Sequence, residues 1–216
     1  MRNHEVTSAQ PLLSEDGRIQ EPGWARRPLW QYDRSRIAAP KFRIKEWDYY
    51  LILSQDYACA FTLSDDGYVG LQSVSLLNFK EGWEHTETIL NPFPMGKMKM
   101  PPSSETGNIL YKDKRLRMEF RKEDGRRFIS CDFKDFWKGR PFYCELSLEQ
   151  PEMDTLAVAI PWQKKKAFYY NHKINCMRAE GYMAYDDTTW ITAHWIGDGA
   201  YGPMIIHGIG APETVR

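Results

Sequence analysis

The sequence predicts an all-β protein, built as an antiparallel β-sandwich or an open barrel and incomplete at its C-terminus. Three observations predict it. Short runs of aromatic and β-branched residues alternate with polar ones and are punctuated by Asp-Gly, Pro and Gly turns. No stretch carries apolar residues at helical spacing over three turns. Eight tryptophans among 216 residues suit a sheet whose core or pocket is lined by flat rings.

Residues 1–40 read as an extended arm, because Pro11, Pro22, Pro28 and Pro40 interrupt any helix. Trp24 is expected to anchor that arm onto the sheet. Strands begin at Phe42, where Phe42, Ile44, Glu46, Asp48, Tyr50 and Ile52 share one face and two carboxylates intrude. Residues 57–63 form the next strand. Ser64-Asp65-Asp66-Gly67 is a turn by composition, since Asp-Gly supplies positive φ. Strands follow over 69–79 and 82–90. Residues 91–108, with four prolines, form a long loop over an edge or a pocket mouth. A hairpin of 109–120 and 127–133 turns at Lys122-Glu123-Asp124-Gly125, with Leu116, Met118 and Phe120 on one face. Strands over 142–148, 155–160, 167–170 and 174–185 complete the β-domain, 41–189.

Lys+Arg and Asp+Glu are both 29, so no basic field exists to attract nucleic acid. Lys164-Lys165-Lys166, the tight basic run, reads as a solvated loop. Cys59, Cys131, Cys144 and Cys176 lack CxxC spacing and sit in strand-like runs, where buried free thiols are expected. No apolar run reaches about 18 residues and no apolar leader opens the chain, so a cytoplasmic protein with no membrane span is expected. The five histidines (His4, His85, His172, His194, His207) form neither HExxH nor HxH, and no P-loop, GxSxG or dinucleotide motif occurs. Neither a metal nor a cofactor is expected. His172 reads as a surface or capping residue, and Asp65 and Asp66 as turn formers. Of Arg26 and Arg27, which alternate faces on an extended chain, one can point inward toward a carboxylate or an anionic ligand. Pinning of the arm to Asp48 or Glu46 is the favoured use.

Several motifs then carry a family resemblance. They are HEVTSAQPLLSEDGRI (4–19), GWARRPL (23–29), KEWDYY (45–50), GYVG (67–70) and IPWQKKKAFYYNHKINCMRAEG (160–181). Together they resemble the DUF2804 family, in that family's order, over about residues 4–185. Departures are Gly67 where the family has Asp, Asn171 and His172 in place of its Thr-containing lead, and Arg178 in place of Pro. The resemblance, and a more distant one to lipocalin-like proteins of the hydroxyneurosporene synthase and AttH type, implies a calycin-like barrel as the form of the open β-fold.

From Ile191 onward the composition changes: no lysine, only Asp198, Glu213 and Arg216 charged, five glycines and two prolines. Residues 191–213 can be back-translated so that the DNA, read from the third base, encodes YGALDWGRGVWTYDNTWYWGAG without a stop. That string resembles the DWGRGVW…WYWG signature of the same family. Residues 190–216 are therefore expected to be an out-of-frame tail on a truncated product, since the family's members are usually longer.

Three functions compete. A lipocalin-like β-fold that binds an apolar small molecule is favoured. An enzyme on an isoprenoid or lipid, hydratase- or cyclase-like, and an inactive gene product are the alternatives. Candidate ligand-binding residues are Trp24, Arg26, Arg27, Trp47, Asp48, Tyr50, Tyr68, Trp162, Lys173 and Asn175.

Overall fold

A computed structural model describes residues 4–163 and 166–185, and the backbone alone of 188–205. The strands are β1 (Gln10–Pro11), β2 (Gly23–Ala25), β3 (Trp30–Gln31), β4 (Ile44–Leu53), β5 (Tyr57–Asp65), β6 (Val69–Asn78) and β7 (Trp83–Pro92). They continue with β8 (Ile109–Lys112), β9 (Leu116–Glu123), β10 (Arg126–Trp137), β11 (Arg140–Glu149), β12 (Leu156–Pro161), β13 (Phe168–Tyr185) and β14 (Thr188–Ile205). Helix among the described residues is confined to two single 3-10 turns, Arg34–Arg36 and Lys41–Arg43. The all-β expectation holds.

One long sheet runs β7-β6-β5-β4-β14-β13-β11-β10-β9-β8, and β12 continues beside the first half of β13 with β2 beyond it. The sheet does not close on itself. It curls instead, so that β4–β7 pack face to face on β8–β11. Ring contacts across the two layers record this: Tyr50 meets Phe120 edge-on at 4.9 Å, and Phe61 lies 6.2 Å from Phe142. The core between the layers is built from alternate residues of each strand, among them Ile52, Phe61, Leu76, Met118, Phe133 and Leu146. Truncating one of its buried phenylalanines to alanine costs about 3–5 kcal/mol.

A second core lies under the N-terminal arm. Leu12, Trp30, Tyr32 and Ile37 pack on Ile44, Ala157, Phe168 and Tyr170. β2 adds to β12, with Trp24 opposite Val158. The arm is thus attached by backbone pairing as well as by burial.

Three strand predictions need correction. The run 109–120 is two strands, because Asp113 turns the chain: its carboxylate accepts from the N–H groups of Arg115 and Leu116 at 2.7 and 2.8 Å. The runs 167–170 and 174–185 are one strand, β13, which pairs without interruption through 171–173 and carries two bulges further along, between Ile174 and Met177 and between Ala179 and Gly181. At the second, Gly181 has φ +138° and its missing Cβ would lie 2.1 Å from the Glu145 carbonyl, so only glycine fits. At the first, Cys176 has φ +62° and is exposed, against the expectation of a buried thiol. Cys59, Cys131 and Cys144 are buried as expected. Phe42 does not share the face of β4; it sits in a 3-10 turn and is exposed.

Candidate functional site

The inward-facing series of the main strands turn polar at one end of the sandwich. On β4 the buried alternates run Ile52, Tyr50, Asp48, Glu46 and then Ile44 of the second core. On β5 Phe61 and Leu63 lead to Asp65, and on β6 Leu76 and Val74 lead to Gln72. On β9 Leu116, Met118 and Phe120 lead to Lys122, whose side chain is 3% exposed. On β10 the series begins with Arg127, and on β13 His172 separates Tyr170 from Ile174. Register brings these residues together: Lys122 pairs with Arg127, and position 201 of β14 pairs with both Asp48 and His172. A belt of buried polar groups therefore divides the two cores. Buried polar groups need partners, and those partners sort the belt into two clusters.

The first cluster spans the layers. Lys122 Nζ lies 3.3 Å from the Asp48 carboxylate. Arg127 donates to the Ser104 carbonyl at 2.7 Å, to the Tyr50 hydroxyl at 3.3 Å and to the Gln150 side chain at 3.0 Å. Two cations thus lie near one described carboxylate, which Lys122 contacts. Burial lowers the Lys122 ammonium below the ordinary lysine range, and Asp48 only partly opposes it. Burial first, then the Asp48 charge, pushes the Tyr50 phenol far above its usual range.

His172 completes the cluster, and its tautomer follows from counting protons. The Thr155 hydroxyl donates its proton to the Arg26 carbonyl at 2.8 Å, so it accepts from His172 Nε2–H at 2.7 Å. His172 Nδ1 is then the acceptor for the Ser104 hydroxyl at 2.5 Å. A neutral imidazole fits this arrangement. Burial, with the Arg127 and Lys122 charges, holds its pKa down to about 4. The expectation of a surface histidine is overturned: His172 is buried between two hydroxyls.

A cleft of about 420 Å³ opens above this cluster. Lys122, Arg127 and Gln150 line it together with the β9–β10 turn, Glu123 to Arg126, and Glu105 and Thr106 of the long loop. The end of the loop 91–108 thus forms part of the cleft wall.

The second cluster holds the arm. Glu46 accepts from the Tyr32 hydroxyl at 2.6 Å and is paired with Arg34. Burial raises the Glu46 carboxyl above its usual range, although Tyr32 and Arg34 oppose the rise. Asp65 is a turn former that does more: its carboxylate accepts from Gly67 N–H at 3.1 Å and from Gly96 N–H at 2.7 Å, which ties the long loop to β5.

The sequence-predicted residues separate. Asp48 and Tyr50 sit in the first cluster. Arg26 and Arg27 both face solvent, and Arg26 is paired with Glu5 and Asp154 at 2.9 and 2.6 Å, not with Asp48 or Glu46. Arg34 and Lys122 hold those two carboxylates instead. An arm strand pairs at the sheet edge, so its side chains are too far from β4 to reach it. Trp24 lies against the Arg26 guanidinium, and Trp47 stacks on Tyr169 at 6.2 Å. Tyr68, Trp162, Lys173 and Asn175 are exposed and apart from the cluster. Lys122, Arg127, Ser104, Thr155 and Gln150 were missed. The polar endings of the period-two series were the available signal for the first two.

At the other end of the sandwich Trp83, Trp137 and Tyr185 wall a second, open cleft with Lys138 and Arg140. His85 stacks on Trp137 at 4.7 Å. No helix among the described residues is long and apolar enough to cross a membrane, and no cluster of metal-ligating side chains occurs among them.

A family model described as a domain of unknown function, DUF2804, matches residues 3–202. The chain belongs to the DUF2804 family. Among solved structures, a crystal structure of a candidate AttH protein from Nitrosomonas europaea is similar to this DUF2804 chain at 11% identity and a TM-score of 0.48. The similarity covers 81% of this chain and 55% of that one, so the chain spans about half of that protein's length. No curated protein matches.

Proposed function

We propose that the protein is a lipocalin-like β-fold that binds a small molecule through one anionic group, seated over Lys122 and Arg127 in a cleft lined by polar and charged residues. One observation carries this reading. Several inward-facing strand series end in polar residues at one level, and there two buried cations face one described carboxylate beneath a cleft. Buried charge is costly unless balanced, and Arg127 Nε has no hydrogen-bond partner among the described residues. The acidic rim, Glu105, Glu123 and Asp124, disfavours a multiply charged anion. Titration of decanoate and of decanol into the protein, followed by tryptophan fluorescence, tests this. Decanoate should bind at least tenfold more tightly, and Lys122→Met with Arg127→Met should abolish the preference. Equal affinities in the unaltered protein would sink the reading. The enzymatic alternative, protonation of an isoprenoid or lipid double bond, needs a proton donor facing the cleft. His172 does not line the cleft and has both ring nitrogens engaged, which leaves Lys122 and the rim carboxyls as the donors that reading would need.

We also propose that residues 191–216 are read one base out of frame. The shifted string supports this, and so does the place of β14. It lies between β4 and β13, yet it brings Gly197, Gly199 and Gly202 to the sheet and sets Pro203, which lacks an N–H, opposite Glu46. Glycine and proline are the residues least suited to a central strand. Residues 206–216 lie outside the described residues. Sequencing genomic DNA across codons 185–200 decides: an extra or missing base supports the proposal, and an unchanged frame ends it. On this reading the ligand titration is made on the correctly framed protein.

A further inference from the structure

The β4–β7 layer ends in a surface that neither cluster uses. Phe42, Tyr68, Phe93 and Met95 are all exposed there, Phe93 by 60%. They come from three segments that touch. The Gly67 position lies against the Phe42 backbone, where a Cβ would come within 2.5 Å. Phe93 N–H donates to the Tyr68 carbonyl at 3.0 Å, and Met95 N–H to the Gly67 carbonyl at 3.1 Å.

The display is built rather than floppy. Phe93 and Met95 have φ of +51° and +49°. Non-glycine residues adopt such angles at a cost of about 1 kcal/mol or more, and only where surroundings enforce them. Here the enforcing groups are those two backbone bonds and the buried Asp65 carboxylate on Gly96 N–H. The side chains that this geometry turns outward are a phenylalanine and a methionine, which would be favoured inside.

Charge around the patch has one sign. Lys41, Arg43 and Lys45 precede and enter β4, with Lys45 over the Tyr68 ring at 4.6 Å, and Lys97 and Lys99 follow Met95. The segments 41–45 and 91–100 contain five cations and no carboxylate. The nearby acids are turned in: Glu46 and Asp65 are buried and partnered, and Asp66 is half-buried. The chain as a whole is neutral, so this is a local concentration of positive charge.

Aromatic and flexible apolar side chains ringed by lysine and arginine match the boundary of an anionic bilayer, where rings sit at headgroup depth and cations meet lipid phosphates. We propose that this end of the sheet docks peripherally on an anionic lipid surface, with Phe93 and Met95 inserted and Lys97, Lys99 and Lys45 on the headgroups. Such docking is independent of the ligand cleft.

Co-sedimentation of the full chain with phosphatidylcholine vesicles, with and without phosphatidylserine, tests it. Pelleting is expected with phosphatidylserine and should weaken as salt rises. Phe93→Ser with Met95→Ser should reduce binding at least tenfold, and each of Lys97→Glu and Lys99→Glu at least about fivefold, the factor for one lost surface cation. All four positions are exposed, and unchanged melting of the variants would show that folding is intact. Absence of pelleting with anionic vesicles overturns the proposal. So does equal pelleting of wild type and variants. Self-association that the variants abolish, without vesicle binding, also overturns it and assigns the patch to a second copy of the chain.

Discussion

Glu46 and Asp48 are two residues apart on one strand, share one face and are each 2% exposed, yet they do different work. Glu46 is matched one to one by Arg34, with Tyr32 as a second donor, and both partners come from the arm. Asp48 faces Lys122 from the opposite layer, with Arg127 close behind. The first arrangement is a clasp, with Asp65 as a second carboxylate near Glu46. The second sets two cations near one described carboxylate beside a cleft. A carboxylate intruding into an apolar strand series therefore has no fixed meaning, and partners that arrive from 12 or 74 residues away assign it.

Removing charges one at a time should break the comparison open. Asp48→Asn leaves Lys122 and Arg127 facing no described carboxylate and should cost about 3–5 kcal/mol in urea unfolding at neutral pH, the largest effect expected. Arg34→Met strands Glu46 in the same way and should cost about 3 kcal/mol at neutral pH. That loss should shrink in acid, where the raised Glu46 carboxyl takes up a proton. Lys122→Met should cost less than Asp48→Asn, because the Arg127 charge remains near Asp48. If Lys122→Met proves as damaging as Asp48→Asn, the first cluster is a clasp as well and the contrast collapses.

His172 separates the clusters by pH. Its folded pKa of about 4 lies below the ordinary value of 6.5, so the unfolded chain binds the proton more readily between those values. Stability should be fully present above pH 6.5 and fall as pH drops toward 4, by at most about 3 kcal/mol from this group. His172→Gln should flatten that part of the pH profile. An unchanged profile would mean that the imidazole is solvated, and the tautomer argument would fail with it.

The fold was readable because its signal is local. Period-two alternation and turn residues located most of the strands, and the exceptions have two causes, one local and one from neighbouring strands. Asp113 breaks a run by capping its own turn, whereas β13 runs through Asn171-His172-Lys173 because β12 and β14 pair on either side. The site was only half readable. Asp48 and Tyr50 stood out as polar and aromatic intrusions on a buried face. Lys122 was read as part of a turn, since a lysine beside Asp-Gly is ordinary there. Only the register with Arg127, and the stacking of one layer on the other, reveals that it points inward.

The GWARRPL motif offers the finest version of the comparison. Its guanidinium and its backbone lie at the same residue but serve different ends. The Arg26 side chain makes exposed ion pairs with Glu5 and Asp154, which water and salt screen. The Arg26 carbonyl accepts from the Thr155 hydroxyl and so fixes which way that hydroxyl faces His172. Arg26→Ala should therefore leave the urea midpoint where it was. Thr155→Val, which keeps the shape and deletes the acceptor for His172 Nε2–H, should cost about 1–2 kcal/mol. It should also shift the imidazole titration, followed by NMR across the acid range. A large loss in Arg26→Ala, with none in Thr155→Val, would move the motif's role from its backbone back to its charge.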